Sequence, residues 1–318
     1  MISPWSKPNR MSAVAERVSA EPRWPGDDKD FRVTMGLHPC SPDAWLWDGA
    51  SELIAAKRIT LRDHHEEAVI ITPEGDAAAR EAAQAIFHEL LRMSTRDGRP
   101  LPAEVLSDID DDQHPLERVA RLIGEDICIM TPLVRAADEQ TTTETTYRLT
   151  AAVLCAPSRW SLREKIGQSV SAIHEPVPGY EAIESPTARF FERLRIDDII
   201  ERTNWTVLDS PVLFQPDRAR ATVAFTDAGA LDAPIHLDLF WLRLERQTLR
   251  KLPQSGAVIF TILTTNTRLD ELATTSPAAA LQLAHKMRTA PAATCDYKGW
   301  ESSAVPIANA LELACLVA

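Results

Sequence analysis

The stretch 235-IHLDLFWLRLERQTLRKL-252, with 253-PQSG-256 and 257-AVIFTILTT-265 after it, decides the fold of this chain. Its first part is long enough for an extended strand. Its last part is an apolar run bounded by turn signals, and Pro-Gln-Ser-Gly joins the two as a turn, so the stretch reads as a long antiparallel hairpin. Alternation along the first strand puts Arg246 and Arg250 on one face and Arg243 on the other. An arginine among apolar residues on a central strand is costly to bury unpaired. It therefore calls for a carboxylate, either an Asp or Glu of this chain or one carried by a bound molecule.

Upstream of the hairpin, 115-PLERVARLIGEDICIM-130 starts as a helix and passes into a strand-like apolar end. The threonine-rich 141-TTTETT-146 reads as a turn between strands, and 147-YRLTAAVLCAPS-158 as a short β-leaning segment stopped by Pro157. Ser161 and Glu164 form a capping-box pattern that opens an amphipathic helix, with Leu162, Ile166, Val170 and Ile173 on one face and His174 at its end, before Pro176-Val177-Pro178-Gly179. A further helix is expected over 186-PTARFFERLR-195. The segment 73-PEGDAAAREAAQAIFHELLRM-93 predicts a helix from Pro73 with Ala82, Ile86, Leu90 and Met93 on its buried face. Helices are also expected over 277-PAAALQLAHKMRT-289 and 304-AVPIANALELACL-316, while 31–61 reads as short elements. Helices flanking an antiparallel sheet make an α+β class. Residues 1–30, rich in Pro, Ser and charge, read as a disordered arm ahead of a single domain over 31–318.

The chain has 318 residues, 45% hydrophobic, with a formal net charge of −12. That acidity, with no basic stripe to offset it, argues against nucleic-acid binding. The five cysteines fit neither a CxxC zinc pair nor an iron–sulfur spacing, and their odd number points to reduced thiols in a cytoplasmic setting. No signal-peptide core or membrane-span run is present.

No glycine-rich phosphate loop, GxSxG elbow or HExxH helix occurs. His64-His65 with Glu66-Glu67 suggest a metal, but adjacent side chains diverge on a regular element. Cys128 and Cys155 lie in apolar strands, where a free cysteine usually serves as core filler and less often as a thiolate ligand. His174 admits two readings. At a helix end it gains from the dipole as a cation, or it projects as a neutral imidazole into a cavity braced by the prolines that follow.

Five segments in order, 35-MGLHPCSPDAWL-46, 115-PLERVARLIGEDICIM-130, 156-APSRWSLREKIGQSVSAIHEPVPGY-180, 202-RTNW-205 and 243-RLERQTLRKLPQSGAVIFTI-262, resemble the haem-dependent oxidative N-demethylase alpha-subunit family, also known as DUF3445. The resemblance runs from about Phe31 to Lys298. It implies a PAS-like antiparallel sheet core, over about 120–270, with N- and C-terminal helical extensions, and a b-type haem held through a histidine. His174 combines the helical location with a matching segment, and His236 is the second choice. Arg246 and Arg250 are then expected to bind the haem propionates. The implied reaction is oxidative demethylation of a small methylated amine, such as dimethylamine, with O2. Glu175, Tyr180 and Trp205 are possible lining residues. The chain shows no flavin, nicotinamide or iron–sulfur motif, so the resemblance implies a separate reductase subunit carrying FMN and [2Fe–2S] and using NADPH. The alternative is a non-catalytic PAS-type sensor of haem or a small ligand.

Overall fold

The computed structural model describes residues 23–47, 50–98, 112–134, 145–217 and 235–317. The hairpin forms as expected: strands β6 (Trp241–Lys251) and β7 (Val258–Arg268) pair antiparallel from Lys251↔Val258 to Trp241↔Arg268. The first strand starts later than the hydrophobic run suggests, because Leu237–Leu239 coil into a 3-10 turn. Glu81 closes the connecting turn: its two carboxylate oxygens accept the amides of Gln254 (2.7 Å) and Ser255 (2.8 Å).

Around the hairpin runs a seven-stranded, fully antiparallel sheet in the order β1-β5-β6-β7-β3-β4-β2. The other strands are β1 (His38–Pro39), β2 (Val69–Ile71), β3 (Asp126–Val134), β4 (Thr145–Val153) and β5 (Ile199–Leu208). Of the threonine-rich turn, residues 141–144 lie outside the described residues. Eleven helices are described: α1 (Ser51–Asp63), α2 (His65–Ala68), α3 (Asp76–Asp97), α4 (Pro115–Ala120), α5 (Leu162–Lys165), α6 (Val170–His174), α7 (Glu184–Arg193), α8 (Leu269–Thr275), α9 (Pro277–Arg288), α10 (Ala292–Lys298) and α11 (Ala304–Val317). The α+β class is therefore observed.

Period-2 alternation gives the sheet two faces with different partners. On one face Ile127, Ile129, Ala151, Val153 and Ile259 pack with Trp45 and with the predicted stripe Ala82, Ile86, Leu90 and Met93 of α3. Toward the β5–β6 end of this face, Val207, Leu242 and Leu244 join Leu283, Met287, Ile307 and Leu311 of α9 and α11 around a fully buried Trp300. On the opposite face Cys128, Met130, Leu149, Leu249, Val258 and Ile262 pack beneath Leu162, Val170, Ile173, Phe191 and Leu194 of the α5–α7 segment. Three layers result, with the sheet in the middle.

The arm expected over 1–30 falls outside the described residues as far as 22. Residues 23–31 run along α9. Trp24 Nε1 donates to Gln282 (3.0 Å), the Phe31 amide donates to Thr289 (2.9 Å), and Lys286 pairs with Asp27.

One local expectation is corrected. The amphipathic run ending at His174 is not one helix. It divides into α5 and α6 at Gly167, whose φ of +79° is left-handed. There the chain pairs with the edge of β4: Gly167 N donates to Leu149 O (2.6 Å), and Leu149 N donates to Gln168 O (3.0 Å). Ser161 precedes α5 but makes no side-chain cap, so the capping box is not formed; the working cap is Ser169, whose hydroxyl accepts from Ala172 N at 3.2 Å. Apolar spacing alone could not separate these two short helices from one long one, because a tertiary strand-edge contact makes the break.

Candidate functional site

The face of the sheet beneath α5–α7 holds the candidate site. His174 is the last residue of α6, as the Pro-Val-Pro break implies, and is half-buried. Its Nδ1 lies 2.7 Å from Val170 O. A carbonyl can only accept, so Nδ1 carries the proton and Nε2 keeps its lone pair. Tyr180 stacks on the ring at 5.1 Å between centroids and 18° between planes, restricting its rotation. The turn that delivers Tyr180 uses Gly179 at φ +83°, against Val33 Cγ2. Burial holds the imidazole below its ordinary pKa; the bond to Val170 acts in the opposite sense, and the charges of Lys165 and Arg202 lower it further. Of the two readings open to a helix-end histidine, the neutral one is favoured here.

The polar half of this face comes from β5 and β6. Asn204 lies opposite Glu245 and Arg202 opposite Gln247, which puts all four on the side that carries Leu249. The Glu245 carboxylate is buried and accepts from the Ser158 hydroxyl, Asn204 Nδ2 (3.1 Å) and Gln247 Nε2 (2.9 Å). Arg202 Nε is buried with no partner. Sequence reasoning missed Arg202 and Glu245 as site residues. The signal was thin: a lone Arg and Asn in a strand whose β-branched neighbours carry no clean alternation.

The other residues singled out from the sequence fall elsewhere. Arg246 and Arg250 lie on the opposite face from His174. Arg246 is buried, pairs with Glu201 (Nη2–Oε2 2.6 Å, Nε–Oε2 2.9 Å) and donates to Trp45 O (3.2 Å) and Cys40 Sγ (3.2 Å). Arg250 stacks on Trp45, its guanidinium carbon 4.4 Å from the ring centroid. Arg243 is fully buried and donates to the carbonyls of Val212 (3.2 Å), Ala156 (2.8 Å) and Leu213 (2.7 Å). His236 is exposed at the start of the 3-10 turn, with Asp238 at 4.0 Å. Glu175 is exposed, and Trp205 points to the C-terminal layer, where it packs with Trp24 and Trp300. Cys128 and Cys155 are buried in the two cores on either side of the sheet, and burial raises both thiols above their ordinary pKa. His64 turns to Glu67 (3.2 Å) and His65 to Glu117 (3.0 Å), so the pair diverges as expected. Among the described residues no group of three or more His, Cys, Asp and Glu could hold a metal ion.

The sequence model of the family described as haem-dependent oxidative N-demethylase, alpha subunit-like, matches residues 51–307. The chain belongs to that family. The matched span of this N-demethylase-like alpha subunit takes in the whole sheet except β1, all of α5–α7, and His174, Arg202 and Glu245. The family's description carries haem dependence, and the designation alpha subunit-like implies work within an assembly of subunits. No helix among the described residues is long and apolar enough to cross a membrane.

Proposed function

We propose that this chain is the haem-bearing, catalytic subunit of an oxidative N-demethylase acting on a small methylated amine. The observation that carries the reading is His174. Its Nδ1–H is fixed to Val170 O, its ring is held by Tyr180, and its Nε2 is free above a buried face. A haem ligand needs this arrangement, because the hydrogen bond at one nitrogen sets the orientation and basicity of the other. The apolar lining of Val170, Ile173, Phe190, Ile200 and Phe260 suits a porphyrin face. The residues present therefore fit the group.

In this reading His174 would hold the haem iron, Tyr180 would keep its ring from turning, and the α5–α7 cover would exclude water. When bound, the haem supplies reduction of O2 by two external electrons and hydroxylation of an N-methyl carbon, after which the carbinolamine breaks its C–N bond to formaldehyde and amine. The electrons are assigned to a separate reductase subunit carrying FMN and [2Fe–2S] and using NADPH, since the sequence has no motif for these groups. The PAS-like description of the core is supported by two features. Five long strands, β3 to β7, lie within 126–268, and the helices joining β4 to β5 cover one face of their sheet.

The test is reconstitution of the full chain with hemin. A Soret band is expected, shifted or lost in His174→Ala and unchanged in His236→Ala. With a chemical reductant, O2 and dimethylamine, the loaded protein should release formaldehyde. A protein that takes up no hemin ends this reading, and haem uptake without formaldehyde from any small methylated amine makes the chain a sensor.

A further inference from the structure

Four arginines on the two central strands can be compared by what meets them. Arg243 donates through its two Nη atoms to three carbonyls, although its Nε has no partner; Arg246 pairs with Glu201 and donates to backbone oxygens; and Arg250 packs over the Trp45 ring. Arg202, on β5, is different. Its Nε, like that of Arg243, is buried without a hydrogen-bond partner, but among the described residues its Nη atoms meet neither a carbonyl nor a carboxylate within ion-pair distance. Burial pulls its pKa below the ordinary arginine value, and Glu245 opposes this only through space. Glu245 sits on the same face yet does not serve it, because the Glu245 oxygens are already taken by Ser158, Asn204 and Gln247. Arg202 lies on the sheet face that α5–α7 cover, and His174 ends one of those helices.

A guanidinium carries five donors in a planar fork and cannot shed its charge by deprotonation. Arg202 is half-buried, and desolvating its Nε with no acceptor to meet it is costly. Among the described residues, the carboxylate whose charge reaches it, Glu245, is bound to three neutral donors instead. We infer that Arg202 is the carboxylate-receiving residue of the layer between the sheet and α5–α7, taking a carboxylate of a bound molecule in its fork. This deepens the haem reading and rests on it for the first source, a haem propionate; the second source is a carboxylate on the substrate. The propionate role expected of Arg246 and Arg250 passes to Arg202, which shares a face with His174 when they do not.

The experiment uses the full chain as wild type, Arg202→Gln, Arg202→Lys and Arg246→Gln. Hemin and hemin dimethyl ester, which lacks the carboxylates, are titrated and followed at the Soret band. Wild type should prefer hemin by about tenfold or more, the worth of one charge-assisted pair. The preference should vanish in Arg202→Gln, return in part in Arg202→Lys and persist in Arg246→Gln. In a second arm, acetate and glutarate are added to apo-protein and the melting temperature is read. If wild type does not distinguish hemin from its ester but is stabilised by a carboxylate in an Arg202-dependent way, the carboxylate comes from the substrate. Removing an unpaired buried charge should also raise the apo melting temperature of Arg202→Gln. A fall there would mean a structural role and overturn the inference, as would the absence of any Arg202-dependent effect in both arms. A wild type that binds no hemin sinks the haem reading alone and leaves the second arm to decide.

Discussion

Lys298 shows how a single residue carries the tertiary environment. Its ammonium lies 5.0 Å from the Trp300 ring centroid and 5.6 Å from that of Trp205, and it donates to Trp205 O at 3.2 Å. Burial pushes its pKa down from 10.5 to about 8, with Glu245 acting in the opposite sense. The sign of the consequence follows. Between about pH 8 and 10.5 the unfolded chain holds this proton and the native chain has lost it, so stability from this group rises with pH across that window. Urea unfolding at pH 7.5, 9 and 10 should show the rise, reduced in Lys298→Met; an identical pH profile in the variant would refute it. At the same scale, Arg246→Met should lower stability by about 3 kcal/mol, since it leaves Glu201 without its cation. Chemical unfolding checks this, and hemin affinity should not change.

Between β4 and β5 the unit of interest is the α5–α6 pair. Gly167 at φ +79° lets the chain leave α5, touch the edge of β4 and start again at Ser169, and this fixes where α6 ends and His174 sits. Gly167→Ala places a Cβ in a left-handed conformation and should cost about 1–2 kcal/mol. Because nothing crowds that position, the penalty is conformational. Hemin uptake by this variant should weaken along with stability, while Gly98→Ala, at a helix end remote from His174, should lose stability alone. The break was not legible in the sequence. Leu162, Ile166, Val170 and Ile173 are all directed to the same core, so their spacing matches one helix as well as two. The end of the run at His174 was legible, because Pro176 and Pro178 cannot continue it.

Across the molecule, the sheet separates the layer built from α3, α9 and α11 from the α5–α7 layer that holds the candidate site. Trp300, with no exposed surface and its Nε1 donating to Val207 O at 3.0 Å, anchors the C-terminal helices to the sheet. Trp300→Ala should therefore cost about 3–5 kcal/mol by calorimetry or denaturant unfolding while leaving the hemin spectrum of the folded fraction unchanged. The opposite face combines apolar packing with the buried Glu245 and with Arg202, under the helices that end at His174.

The sequence by itself determined a hairpin within 235–265, helices over 73–93, 277–289 and 304–316, and the separation of Arg243 from Arg246 and Arg250; the structure has them at 241–268, 76–97, 277–288 and 304–317. These follow from short-range periodicity and turn chemistry, which the chain carries locally. It also pointed to His174, through the prolines after it. Only the tertiary structure decided which face each arginine meets. Alternation tells two faces apart but does not say which layer covers either one. Whether a charge is paired depends on residues far away in the chain, such as Glu201 against Arg246, or Ser158 occupying Glu245. Arg202 stands out only once every acceptor around it has been accounted for in space.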